Sequence, residues 1–304
     1  MKKSEALVTG GAGFIGSHLV ERLIKKHYKV TVIDDLSSGD LKNLKSVKNK
    51  IKFIKLDLSR KKNLKKKLKN ISYVFHLAGL SKAAESIKKP KKYYRANVTA
   101  TLNLLNLVKD IKIKKFIYTA SASCYGNAKE IPTSEKAKIY TLTPYGFTKW
   151  KSEQLVMKYA KNYKFPAISL RLFNIYGPRI KVLNSYSAVI NVFLKQKKEN
   201  KPLTIVGKGQ QSRSFVYITD AVNAIIKAAT SKINNEIFNV GAGKPVKIIQ
   251  IAKLLNTKMI YISKRKGDPN YSYPDVKKIK KMLNWRPKIS IKKGISILLK
   301  KNNL

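Results

Sequence analysis

Eight residues near the start of the chain, Thr9-Gly10-Gly11-Ala12-Gly13-Phe14-Ile15-Gly16, restrict the fold more than any other stretch. An apolar run, Ala6-Leu7-Val8, precedes them and a helical pattern follows, so the stretch reads as strand, tight turn and helix. Gly11, Gly13 and Gly16 have the G-x-G-x-x-G spacing. In such a turn one glycine permits the bend, the next lets the backbone approach a pyrophosphate, and the third packs helix on strand. The amides at the helix start, with the helix dipole behind them, then face an anion. Alone the turn is a weak sign, because glycine-rich turns without a nucleotide are common, and its meaning depends on the rest of the chain.

The rest of the chain repeats the same alternation. A helix is expected from about Phe14 to Lys26, and Lys29 to Asp34 alternates like a buried strand that ends in an acid, 18 residues past Gly16. A carboxylate at that spacing accepts hydrogen bonds from the adenosine ribose hydroxyls and repels the extra phosphate of NADP, so Asp34 favours NAD. Further strands are expected over 51–56 and 71–77, ending at Asp57-Leu58 and at His76-Leu77-Ala78-Gly79. A helix from about Pro90 to Lys109 carries Asn97, and a fifth strand, Lys115 to Ala120, precedes Ser121-Ala122-Ser123. This order predicts an α/β fold, a Rossmann-type doubly wound parallel sheet whose ligands gather at the carboxyl ends of the strands. There Asp57 can meet the adenine amino group, and Ala78-Gly79 let the chain pass close to the cofactor.

A sixth strand, Ala167 to Leu172, a helix, Tyr186 to Lys197, a strand, Leu203 to Val206, and a return strand, Phe238 to Gly241, complete the plan. It assigns 1–172 to a cofactor-binding domain, with 214–241 returning to it, and 173–304 mainly to a smaller C-terminal substrate domain.

Composition narrows the partners. No run of 18 apolar residues occurs and Lys2-Lys3 lead into the glycine turn, so neither a membrane span nor a signal peptide is expected, and the location expected is cytoplasmic. The formal net charge is +49, carried by 65 Lys and Arg of which only eight are Arg. The lysines are scattered through every segment and form no single arm, so no specific nucleic-acid function is expected. The three histidines, His18, His27 and His76, have no metal-ligand spacing, and His76 is expected to pack at a strand end.

Chemistry enters at Thr143-Pro144-Tyr145-Gly146-Phe147-Thr148-Lys149, which has Thr as a helix cap and Pro in the first turn. Tyr145 and Lys149, four apart, share one helix face. A lysine ammonium and the positive end of the helix both favour a phenolate, which would make Tyr145 a proton acceptor.

Taken together, Thr9 to Gly16, Asp34, Asp57-Leu58, His76 to Gly79, Asn97, Ser121, Tyr145 and Lys149 resemble the extended short-chain dehydrogenase/reductase family, the NAD-dependent nucleotide-sugar epimerases and dehydratases. His76 to Leu80 and Glu85-Ser86 are most similar to the UDP-glucose 4-epimerase branch. The resemblance implies NAD held by Gly10, Gly13, Phe14, Ile15, Gly16, Asp34, Asp57, Leu58, Ala78, Gly79, Asn97, Tyr145 and Lys149. It implies catalysis by Ser121, which meets the sugar 4-OH, by Tyr145 as base, and by Lys149, which holds the nicotinamide ribose and lowers the tyrosine pKa.

On the substrate side the resemblance implies a UDP-sugar bound by Ser121, Ser123, Asn174, Arg213, Arg265, Asp268 and Ser272, with Asn174 and the two arginines on the diphosphate. Ser214 departs from the family's Asp after that first arginine. Family dehydratases carry Asp-Glu after the position of Ser121, and this chain has Ala122-Ser123, which leaves epimerisation. Small Ser272 implies room for an N-acetyl group, and a homodimer through helices matching Asn97 to Lys109 and Thr148 to Tyr163 is implied as well. A dehydratase or uronate epimerase of the family, and a non-enzymatic nucleotide- or RNA-binding protein, are the alternatives.

Overall fold

Strand β1 (Glu5–Thr9) is buried from Ala6 onward, and its neighbours β2 (Lys29–Asp34) and β4 (Tyr73–His76) are nearly as deeply covered. Such strands need covering on both faces, which is the position of a central parallel sheet. The computed structural model describes residues 4–60, 68, 70–180, 189–263 and 271–304. With β3 (Ile51–Lys55), β5 (Lys115–Ser121), β6 (Ala167–Leu172) and β7 (Glu236–Val240), these strands form a seven-stranded sheet of order β7-β6-β5-β4-β1-β2-β3. β1 pairs in parallel with both β2 and β4, β2 with β3, and β4 with β5. The order reverses between β1 and β4, which makes their carboxyl ends the topological switch point.

Helix α1 (Phe14–Lys25) buries Gly16, Leu19, Val20 and Leu23, the i, i+3, i+4, i+7 stripe of a helix lying on a sheet. The stretch expected as one helix from Pro90 to Lys109 is in three parts. Helix α3 (Pro90–Tyr94), preceded by α2 (Ala83–Lys88), runs into a π-helical turn over Arg95–Thr99 and then α4 (Ala100–Val108). Within that turn the Asn97 carbonyl accepts the hydroxyls of Thr101 at 2.6 Å and Ser152 at 3.2 Å. Side chains thus occupy the acceptor at the point where the α-helical ladder is interrupted.

Helix α5 (Pro144–Asn162) buries Gly146, Lys149, Ser152, Glu153, Val156 and Ala160. Its inward face is therefore largely polar. Glu153 is paired inside the fold with Arg171 of β6, Arg171 Nε at 3.0 and 3.2 Å and Nη2 at 2.5 Å from the carboxylate, and Ser169 Oγ donates at 2.8 Å. The guanidinium fork and the hydroxyl together satisfy a carboxylate that has no access to water.

Two compact units divide the chain. The first takes Met1–Cys124, Thr141–Arg171 and Val222–Phe238, and the second Tyr125–Tyr140, Leu172–Ala221 and Asn239–Leu304. Residues 125–140 and 214–221, which the domain plan assigns to the cofactor half, lie in the second unit. Their hydrogen bonds account for this: Tyr125 Oη donates to Asn239 Oδ1, Thr133 N to Tyr273 O, and the Asp220 carboxylate accepts the amides of Lys288 and Ile289. Trp285 is buried with its indole N–H on the Asp220 carbonyl. Among the described residues no helix is long and apolar enough to cross a membrane.

Glu153→Leu removes the buried carboxylate that both Nε and Nη2 of Arg171 meet, so urea denaturation should give an unfolding free energy lower by about 3–5 kcal/mol. A loss well under 1 kcal/mol would show that the pair is dispensable.

Candidate active site

The strands β1 to β4 end at Thr9, Asp34, Lys55 and His76, and the residues just beyond them line a cleft. Gly10, Gly13, Phe14, Ile15, Gly16, Asp34, Asp57, Leu58, Ala78 and Gly79 all border it, so ten of the residues expected around NAD are in one place. Gly10 has φ +70°, and a Cβ there would lie 2.7 Å from Ala78 N. A Cβ on Gly16 would come within 2.1 Å of the Gly10 carbonyl oxygen. Both glycines are thus required by close approach of the turn to itself and to the β4 loop.

Gly13 caps α1 and offers no side-chain acceptor to the first amides of the helix. Those amides are the orphan donors of a helix start, and here they border the cleft, which suits a pyrophosphate. Asp34 Oδ2 accepts Ala12 N at 2.9 Å and Oδ1 accepts Leu36 N at 2.8 Å. A carboxylate has about four acceptor positions, so capacity for two ribose hydroxyls is left. Burial raises the Asp34 pKa and the two amides oppose it. At Asp57 burial also pushes upward, but the Ser59 hydroxyl and amide and the guanidinium groups of Arg95 and Arg60 outweigh it and hold the carboxyl low. The residues of this cleft fit the adenosine diphosphate half of NAD.

Behind the cleft His76 is fully buried. Thr101 Oγ1 already donates to Asn97 O, so it accepts from His76 Nε2–H at 2.8 Å; Ala78 N–H donates to Thr9 Oγ1, whose own proton goes to His76 Nδ1 at 2.7 Å. This network assigns the Nε2–H tautomer. Burial, with the nearby Lys149 charge, lowers the His76 pKa to about 3, so the ring is a neutral strut. Asn97 completes the support. Its Oδ1 accepts Leu80 N at 2.7 Å and its Nδ2 donates to Leu80 O and to Thr148 Oγ1, so its amide acts on the β4 loop. Gly79 (φ +152°) makes way for it, a Cβ there falling 2.9 Å from Asn97 Oδ1.

Ser121, Tyr145 and Lys149 meet at the end of β5. Gly146 allows it, since a Cβ at that position would press to 2.6 Å on the Ser123 carbonyl. Ser121 Oγ donates to Ser123 Oγ at 3.2 Å and accepts Ser123 N, and its hydroxyl favours the ionised form of Tyr145. The electrostatics differ from the expected lysine-induced phenolate. Burial raises the Tyr145 pKa, with only the Ser121 hydroxyl pulling it down and Cys124 opposing, while Lys149 is itself pushed down to about 7 by burial against the attraction of Glu153. Lys149 Nζ lies over the Tyr118 ring, 4.5 Å from its centroid. The first amides of α5 are themselves occupied: Thr143 Oγ1 accepts Gly146 N, and Ser86 Oγ accepts Tyr145 N.

In the second unit Asn174 (φ +38°) donates through Nδ2 to Ser214 O, and Arg213 and Ser272 stand opposite each other in neighbouring strands. Arg265 and Asp268 lie outside the described residues. Sequence reasoning quoted Thr9, Ser86 and Gly146 within motifs without giving them these supporting roles, and it missed the role of Thr101, which carries no local signal.

A doubly wound sheet with an open helix start at its switch point and a Ser-Tyr-Lys group beside it defines a nucleotide-dependent enzyme of the short-chain dehydrogenase/reductase type. The sequence profile of the NAD dependent epimerase/dehydratase family matches residues 6–241. The chain belongs to that family, and its cofactor is NAD. A putative UDP-glucose 4-epimerase of Methanocaldococcus jannaschii is 33% identical over 308 residues, covering 98% of each chain. A UDP-glucuronate 4-epimerase of Thermodesulfobacterium geofontis is 36% identical over 307 residues, covering 95% of this chain and 93% of its own. The solved structure of a UDP-N-acetylglucosamine 4-epimerase from Methanobrevibacter ruminantium M1 superposes with a TM-score of 0.92 at 32% identity, covering 99% of this chain and 100% of that one.

His76 gives a pH test. A histidine whose folded pKa is depressed from 6.5 to about 3 contributes fully above pH 6.5 and loses that contribution as pH falls towards 3, because the unfolded chain takes up the proton. Its share of the unfolding free energy should fall by about 1.4 kcal/mol per pH unit over that window, and a His76→Gln variant should lack that part of the slope. Equal slopes for the two proteins in urea denaturation would refute the assignment.

Proposed function

We propose that the enzyme is a UDP-sugar 4-epimerase, an isomerase that works through a 4-keto intermediate, with UDP-glucose or UDP-N-acetylglucosamine as substrate. The observation that carries this reading is Ser121-Ala122-Ser123 beside Tyr145: a methyl group and a single hydroxyl stand at the two positions where elimination needs carboxylates. Ser121 Oγ orients the sugar 4-OH and Tyr145 Oη takes its proton. The residues of the cleft would hold NAD, which would supply a hydride acceptor and donor for C4. Ser121 favours the ionised Tyr145 once its hydroxyl proton turns from Ser123 to the phenolate oxygen, and Lys149, near 7, changes charge in the physiological range.

Inversion at C4 requires the keto sugar to present its opposite face before the hydride returns. The diphosphate must then be held firmly and the hexose loosely. Asn174, Arg213 and Arg265 are assigned to the diphosphate, where guanidinium forks act bidentately. Ser272, with Asp268 upstream, is assigned to the sugar side, its small side chain leaving space for an N-acetyl group. A homodimer through α4 and α5 accompanies this reading, supported by Tyr163, which α5 leaves exposed. A uronate 4-epimerase is the second reading, favoured by the 36% identity to the UDP-glucuronate enzyme.

Incubation with UDP-glucose, UDP-N-acetylglucosamine and UDP-glucuronate, followed through the anomeric proton signals, should show one or more of them converted to the 4-epimer, and heat denaturation should release NAD. Tyr145→Phe should lower kcat by roughly a hundredfold or more; retention of most of the activity would sink the assignment. Ser272→Tyr should reduce the rate on UDP-N-acetylglucosamine relative to UDP-glucose, and an unchanged ratio would remove Ser272 from the sugar pocket.

A further inference from the structure

Helix α5 begins with a complete set of hydrogen bonds, one of which comes from a distant part of the chain. Pro144 has no amide hydrogen, Gly146 N donates to Thr143 Oγ1 at 3.2 Å and Phe147 N to Thr143 O at 3.0 Å. The remaining amide is that of Tyr145 itself, and it donates at 3.0 Å to Ser86 Oγ, 59 residues earlier. Ser86 is fully buried, and its own proton goes to the Ala83 carbonyl at 2.5 Å, so its lone pair is aimed at the tyrosine. The next helix supplies a wall: the buried Tyr93 ring stands edge-on to the Tyr145 ring, centroids 6.5 Å apart, and Tyr93 Oη accepts Lys82 N at 3.2 Å. This α2–α3 segment continues directly from Leu80 and Ser81, which border the cofactor cleft.

We infer that Ser86 is a positioning residue for Tyr145, holding the tyrosine main chain so that its phenol keeps its place against Tyr93 and so that the β4 loop and the proton-transferring group keep one fixed relation. A serine suits this place because a buried amide without an acceptor is costly, and because a shift of about 1 Å in a reacting group can cost on the order of a hundredfold in rate. The inference rests on the reading of Tyr145 as the proton acceptor.

The test compares Ser86→Ala with Ser86→Thr, each as the NAD-loaded enzyme, on UDP-glucose and UDP-N-acetylglucosamine. Ser86→Ala should lose roughly tenfold or more in kcat with KM and NAD content per chain nearly unchanged, and Ser86→Thr, which keeps the hydroxyl, should recover most of the loss. A second readout needs no substrate. The difference in ultraviolet absorbance titration between a protein and its Tyr145→Phe version isolates Tyr145 from the other tyrosines, with Tyr93, Tyr118 and Cys124 as its titratable neighbours. In the Ser86→Ala background that titration should move to higher pH, because the Ser121 hydroxyl is the group that pulls it down. Unchanged kcat, a threonine variant as damaged as the alanine one, or an unmoved titration would overturn the inference. If Tyr145→Phe alone retained activity, the proposed function would fall, and the titration would still decide the role of Ser86.

Discussion

The contact of Gly16 with the Gly10 carbonyl supports the rest of the site. Without a side chain at Gly16 the first turn of α1 comes down onto the loop that leaves β1, and the helix start reaches the cleft. Gly10 then lies against the Ala78 backbone, which ties the β1 turn to the β4 loop across the point where strand order reverses. The neutral His76 closes the same junction from behind through Thr9 and Thr101. The cleft is therefore built by backbone approach and buried hydrogen bonds, and its side chains are added to a frame already set.

Two helix starts in this unit have opposite designs. At α1 a glycine cap leaves the first amides without side-chain partners beside the cleft, so a ligand phosphate can complete them. At α5 proline, threonine and a distant serine account for the first amides, so that end has its donors satisfied within the protein. One helix end binds and the other holds a reactive side chain still. The same local rule about orphan donors gives both outcomes.

Charge shows a similar division between surface and interior. Most of the lysines behind the net charge of +49 are solvated, and among the described residues the buried lysines are Lys115 and Lys149. Lys115 is bonded to the Ile233 carbonyl and to Asn234, and Lys149 faces the Tyr118 ring with Glu153 one turn on. Glu153 is in turn neutralised by Arg171. The inner face of α5 is thus a row of polar groups behind Tyr145, and the core treats it as structure.

The strand and helix alternation, the glycine turn, Asp34, and the Tyr145 and Lys149 spacing were legible in the amino-acid sequence because each depends on residues within one strand-turn-helix-strand unit or less. Period, chain reversal and the need for glycine in a crowded turn are local properties. The polar inner face of α5 was not legible, because apolar periodicity cannot report a buried face made of Lys149, Ser152 and Glu153. The break at Arg95–Thr99 and the Ser86 cap were hidden for another reason: their partners are 51 to 59 residues away in the sequence, as Asn97 to Thr148 and Ser86 to Tyr145 show. Only the tertiary structure decided the pKa directions at Tyr145 and Lys149. Sequence spacing brings a charge near a phenol, whereas desolvation depends on everything else packed around both.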